Sequence, residues 1–187
     1  RDAVNGIKIR TPGPTVERIA KALGMTPISS PLTEAYEQIS RGVIQGMFQQ
    51  KETVIAFNMT QHMPVASFVP GGFAHSSQFM VMNEAKWKAL EPRDRDAIAK
   101  LSGEAMVKRF AAVWEAKEAA ALAKFAETGV KVTNVEGKLL DELRGKLQFV
   151  TDEWLAEATK KAPEAATALN EYKAAIPAIA KELNVNP

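Results

Sequence analysis

Arg10 is the residue of this chain best placed to do chemistry, because of what stands on either side of it. Ile7 and Ile9 alternate with Lys8 and Arg10, the pattern of a short half-buried strand. Pro12, Gly13 and Pro14 end that pattern, and Thr15 opens a helical one (Val16, Ile19, Ala20, Leu23) that Gly24 closes. Arg10 therefore falls at the end of a strand and faces the start of a helix. Open α/β sheets bind ligands in crevices beyond the carboxyl ends of their strands. A helix N-terminus brings unpaired N–H groups and partial positive charge, and a guanidinium brings a planar fork that matches a carboxylate. The expected chemistry is capture of an anion. A strand-end arginine is also commonly solvated or paired with a glutamate, so the clamp requires other groups converging on the same spot.

Other candidates are weaker. The two histidines, His62 and His75, are too few and too isolated for a zinc site. His75 and Ser76 with any carboxylate make a hydrolytic triad on paper, but no nucleophile-elbow motif accompanies them. Gly-x-Gly-x-x-Gly and Walker patterns are missing. Met47, Met59, Met63, Met80 and Met82 fall on apolar elements and read as core filling rather than as soft-metal ligands. Asn58-Met-Thr60 is a formal glycosylation sequon of little weight. No metal, no cofactor and no catalytic residue is expected. A polar set suited to binding is left: Arg10, Gly13, Thr15, Gln49, Gln50 and the segment Phe73-Ala-His75-Ser-Ser77, all at strand ends or in connections, where ligand groups usually sit.

The elements that must position this set alternate. After the first strand and helix come an extended piece, Met25 to Ile28, and a helix, Leu32 to Ser40, stopped by Gly42. Val43 to Phe48 reads as a buried strand or turn, and Val54 to Met59 as a helix. This β-α-β-α-β-α order with short connections predicts a parallel sheet with covering helices. Residues 60–72 read as irregular. Phe79 to Met82 is continuously apolar and predicts a buried strand, with Asn83 capping the helix of Trp87 and Leu90. Pro92 opens a pattern whose sole breaker before Thr128 is Gly103; as one helix it would be about 50 Å long, a brace across two lobes. Val130 to Val132 alternates as a strand. Helices follow from Leu139 to Lys161, with Leu140, Leu143, Leu147, Val150, Trp154 and Leu155 inward, and from Glu164 to Leu183, interrupted by Pro177.

Composition sets the outer bounds. At 187 residues the chain is long enough to bury a sizeable core. Its 24 basic and 22 acidic residues nearly cancel, and no basic block interleaved with aromatics is present, which argues against nucleic acid as a partner. With no cysteine, thiol catalysis and disulfides are excluded, and an oxidising compartment is compatible. No apolar run reaches the ~20 residues of a membrane span. Arg1 in place of Met points to a processed or trimmed start.

The order of these features resembles the solute-binding proteins of TRAP (tripartite ATP-independent periplasmic) transporters, the DctP-like family. The resemblance is carried by Gly6-Ile-Lys-Ile-Arg10-Thr-Pro12, Ala22-Leu-Gly24-Met-Thr-Pro27, Leu32-Thr-Glu-Ala-Tyr36, Gly42-Val-Ile-Gln-Gly46, Val81-Met-Asn83 and Trp87 through Leu90-Glu-Pro92. It implies an α/β fold of periplasmic-binding-protein type: two lobes, a mixed sheet with covering helices, and a long brace helix. It implies a periplasmic protein that captures a small organic carboxylate and presents it to the membrane subunits of the transporter. Arg10 would form the salt bridge to the ligand, Gly13 and Leu32 would line the cleft, Gln49 would stand where the family places a polar contact, and His75 to Ser77 would border the pocket.

Two departures mark this chain. Gln45-Gly-Met-Phe-Gln-Gln50 replaces the family's Asp-Gly-x-Glu-Asn-Pro, which leaves the contacts of Gln49 and Gln50 open, and Leu32 replaces a frequent aromatic. The likeness also implies that most of an N-terminal lobe is absent from this chain. The expected division is then 1–60 as ligand-binding lobe, 61–91 as crossover segment, 92–128 as brace helix and 129–187 as C-terminal strand and covering helices. Two rival readings are a ligand-sensing domain of a transcriptional regulator and a small-molecule enzyme using Glu17 or Glu52 as base.

Overall fold

The computed structural model describes residues 4–74 and 79–182. Its first part alternates as the apolar pattern predicts: β1 (Lys8–Thr11), α1 (Pro14–Ala22), β2 (Thr26–Ser29), α2 (Ala35–Ser40, entered through a 3-10 turn at Leu32–Glu34), β3 (Gly46–Met47) and α3 (Lys51–Ala56). The three strands form a parallel sheet in the order β2-β1-β3, with Arg10 beside both Ile28 and Met47. Parallel neighbours need crossover connections, and α1 and α2 provide them. α1 starts on a proline, whose missing N–H costs nothing in a first turn, and buries Val16, Ile19 and Ala20 on one face. Gly24 then turns the chain at φ 85°, in space where a Cβ would meet the Asn5 side chain at 3.0 Å.

A second parallel pair, β4 (Val65–Phe68) with β5 (Lys131–Asn134), stands apart from the first sheet. Between its strands run α4 (Glu84–Lys88), α5 (Pro92–Leu101) and α6 (Glu104–Glu127). After β5 come α7 (Gly137–Lys161) and α8 (Ala165–Glu182). The two sheets meet at one buried cluster of Ala35, Val54, Met59, Phe125 and Val130. Phe125 stacks against Phe68, with ring centroids 6.5 Å apart.

Several expectations are corrected. Residues 65–68, read as part of an irregular stretch, are a strand; four residues bounded by Pro64 and Pro70 are too short to show a period. Phe79 to Met82 is neither strand nor buried, and Phe79 is 83% exposed. A continuous apolar run becomes a buried strand only when a neighbouring strand and cover on both faces exist, and no described strand pairs with it. Helix 92–128 is two helices, broken at Ser102 and Gly103. α7 buries none of its residues, and Trp154 is 53% exposed; it meets α1 through the Arg18–Glu153 ion pair and through Arg18 over the Phe149 ring at 5.3 Å. α8 continues through Pro177, losing one backbone bond there instead of ending.

The break ahead of α6 is built on Gly103, at φ 58° and ψ −135°, a region essentially closed to residues with a Cβ. Gly103→Ala is expected to lower stability by about 1–3 kcal/mol even though the added methyl meets open space, because the cost is backbone strain. A urea-unfolding midpoint equal to that of the parent would contradict this.

Candidate functional site

Three strand ends converge on one guanidinium. Arg10 is 4% exposed, near the carboxyl end of β1. Its Nε donates to the carbonyl of Ser30, just past β2, at 3.1 Å. Its Nη1 donates to Oε1 of Gln49, just past β3, at 2.9 Å. The Phe48 backbone N–H donates back to the Arg10 carbonyl at 3.1 Å, which fixes the chain leading to Gln49. Parallel strands end side by side, so their exits lie together; the crevice follows from topology.

The electrostatics are unbalanced. Among the described residues no carboxylate pairs with Arg10, and both of its bonds go to neutral oxygens. Burial pushes its pKa down, because water is withdrawn from the charged form. A guanidinium carries five donors, so three remain for a ligand among the described residues. A desolvated cation without an anion is costly, and a bound carboxylate would remove the cost.

Gln49 connects this charge to a cleft of about 110 Å³ whose lining includes Met47, Gln49, Lys51, Val54, Phe68 and Phe125. The cleft lies between α3 and β4 and is apolar apart from Gln49, Lys51 and Ser67. Lys51 Nζ is 2.6 Å from Oε2 of Glu118 on α6 and 4.9 Å from the centroid of the Phe68 ring. The other oxygen of Glu118 accepts the Glu52 backbone N–H at 3.3 Å, so α6 reaches into the first turn of α3.

The remaining expected site residues are scattered. Gly13 is the N-cap of α1, in extended backbone with open space around it. The bonds of Arg10 run to the exits of β2 and β3 and not to that helix start. Leu32 packs against the buried cluster. Gln50 is exposed at the N-cap position of α3 and makes no side-chain cap there. Phe73 meets Phe48 edge to face at 5.1 Å. His75 and Ser77 lie outside the described residues. Sequence reasoning missed Ser30, Lys51 and Glu118. Ser30 was accessible, since it follows β2 as Gln49 follows β3; nothing in the sequence joins Lys51 to a residue 67 positions later. Among the described residues no cluster of His, Asp or Glu could hold a metal ion.

Comparison with known proteins agrees with this geometry. Residues 2–158 match the family model DctP, described as bacterial extracellular solute-binding protein, family 7. An outer membrane transporter protein, TsaT, from Comamonas testosteroni is 22% identical over 92% of this chain and 51% of its own length. A solute-binding protein from Chromohalobacter salexigens is 24% identical over 83% of this chain and 45% of its own. A crystal structure of a TRAP periplasmic solute binding protein from Bordetella bronchiseptica, with bound (R)- and (S)-mandelate, superposes with a TM-score of 0.74. It is 26% identical and is matched over 86% of this chain and 51% of its own length. The chain thus spans about half the length of the relatives it matches.

Proposed function

Because the chain belongs to the DctP family, the bacterial extracellular solute-binding proteins of family 7, we propose that it forms the carboxylate-holding part of a protein that captures a small organic acid for a TRAP-type transporter. The observation that carries this reading is the buried Arg10 with no described carboxylate partner, at the shared exit of three parallel strands. The ligand's carboxylate takes the donors that Ser30 and Gln49 leave open. Mandelate, the acid held by the Bordetella bronchiseptica relative, has the required group.

In this reading residues 1–60 are the binding lobe, 61–91 cross to the second lobe, 92–128 brace the two, and 129–187 cover the back. The second lobe comes from polypeptide equivalent to the half of its relatives that this chain does not span. It would cover the apolar side chains that α6 leaves in the open, among them Val107, Phe110 and Val113. Gly13, Leu32, Gln50, Phe73, His75 and Ser77 would approach the ligand only as that lobe closes. Closure around the acid is the state offered to the membrane subunits, and the protein works in the periplasm without catalysis. Among the described residues no helix is long and apolar enough to cross a membrane.

Titration calorimetry of the native polypeptide that carries this chain, against benzoate, mandelate, succinate and D-glucuronate, tests the reading. Saturable binding of at least one acid, in competition with whatever acid native mass spectrometry finds co-purified, is the expected result. Failure of every carboxylate to bind, with an empty protein by mass spectrometry, would overturn it.

A further inference from the structure

Charges around the cleft can be counted, and the count bears on which acids fit. Resting on the reading above, we propose that the ligand is a monocarboxylate with a compact apolar body, and that Glu118 sets this selectivity by holding the Lys51 ammonium neutralised at the cleft wall. Arg10 is a cation without a described counterion. Lys51 is the one charged residue lining the cleft, and its charge is answered by Glu118 at 2.6 Å. The two cations are therefore unequal: one charge is open to a ligand and one is closed.

A second carboxylate entering the cleft would have to displace Glu118 or stay half-desolvated without a partner, and either is unfavourable. Displacement is resisted from three sides. Glu118 also accepts the Glu52 N–H, Lys51 is held over the Phe68 ring, and Lys117 stands 3.5 Å from Glu52, closing the same patch of charge. A neutral ligand oxygen, such as a hydroxyl, could still accept from a free N–H of Lys51 without disturbing the pair.

The body of the ligand follows from the lining. Met47, Val54, Phe68 and Phe125 offer contact area and no hydrogen bonds to a polyol. The volume of about 110 Å³ is on the scale of the ~150 Å³ apolar cavity that takes up benzene. A single ring or short hydrocarbon fits that surface; a sugar acid would leave most of its hydroxyls unpaired.

The test compares benzoate with phthalate, isophthalate and terephthalate by calorimetry on the native polypeptide, with D-glucuronate as the polar control. The parent is expected to prefer benzoate to each dicarboxylate by at least about tenfold. Glu118→Gln keeps an acceptor for the Glu52 N–H but frees the Lys51 charge. It should narrow the preference about tenfold for at least one dicarboxylate, by tightening that acid and leaving benzoate unchanged. Adding Lys51→Met to Glu118→Gln should restore the parent's preference. The inference is overturned if the parent binds a dicarboxylate or glucuronate as tightly as benzoate, or if Glu118→Gln leaves every ratio unchanged while its melting curve shows a folded protein. Those results leave carboxylate capture standing, whereas absence of binding by all five acids removes both.

Discussion

Arg10→Gln is expected to lower the affinity for the captured acid by about 2–5 kcal/mol, roughly thirty-fold to several thousand-fold. The range belongs to truncating one partner of a charge pair withdrawn from water, and Arg10 is withdrawn from water: 4% exposed, with its pKa pushed down by burial. Arg10→Lys should recover only part of the loss. An ammonium keeps the charge but not the planar fork, and it cannot hold Ser30 and Gln49 while offering paired donors to a carboxylate. The unliganded protein should respond in the other direction. Arg10→Met replaces an unpaired buried cation by an apolar chain of similar length, so its thermal midpoint should not fall below the parent's. Calorimetry and a melting curve on the same three variants separate the two effects. Affinity unchanged in Arg10→Gln would remove Arg10 from the site.

Phe125→Ala should have the largest effect on stability. Phe125 is 2% exposed at the centre of the cluster joining the two sheets, and truncating a buried phenylalanine costs about 3–5 kcal/mol. That is a large share of the roughly 5–15 kcal/mol by which a domain is stable. Phe110 lies on the same helix and is 54% exposed, so Phe110→Ala in this chain should change stability by no more than about 0.5 kcal/mol. Urea-unfolding midpoints measure both. Should Phe110→Ala become costly in a longer polypeptide with the second lobe, the proposed covering of α6 gains support. An equal loss in both variants of this chain would show that Phe125 is not at its core.

The sequence made the first sixty residues legible because local signals there agree with tertiary ones. Ile9 and Arg10 alternate, Pro14 starts a helix, Gly24 ends it, and each strand is joined to the next by a crossover, so period and connection length point to one topology. Arg10 was readable for the same reason: a strand end followed by Pro-Gly-Pro is visible locally. Beyond residue 60 the signals lose their partners. Phe79 to Met82 carries the apolar run of a buried strand, but no described strand lies beside it. The apolar stripe of α7 was read as inward-facing, yet a stripe says which face is apolar and not whether anything covers it. Gly103 was noted as a breaker; only its left-handed backbone shows that it breaks the helix. Lys51 and Glu118 were out of reach, since an ion pair spanning 67 positions leaves no mark on either neighbourhood.

The two parallel sheets exchange no strand. No backbone ladder therefore carries a change at the Arg10 crevice to β4 and β5, and a few side chains must do so: Met47 and Val54 against Phe125, and Lys51 against Glu118. Such a linkage can be altered one substitution at a time without unravelling either sheet. Descendants of this chain are thus free to change which acid they accept and how firmly the halves are coupled as separate traits, each acquired at its own pace.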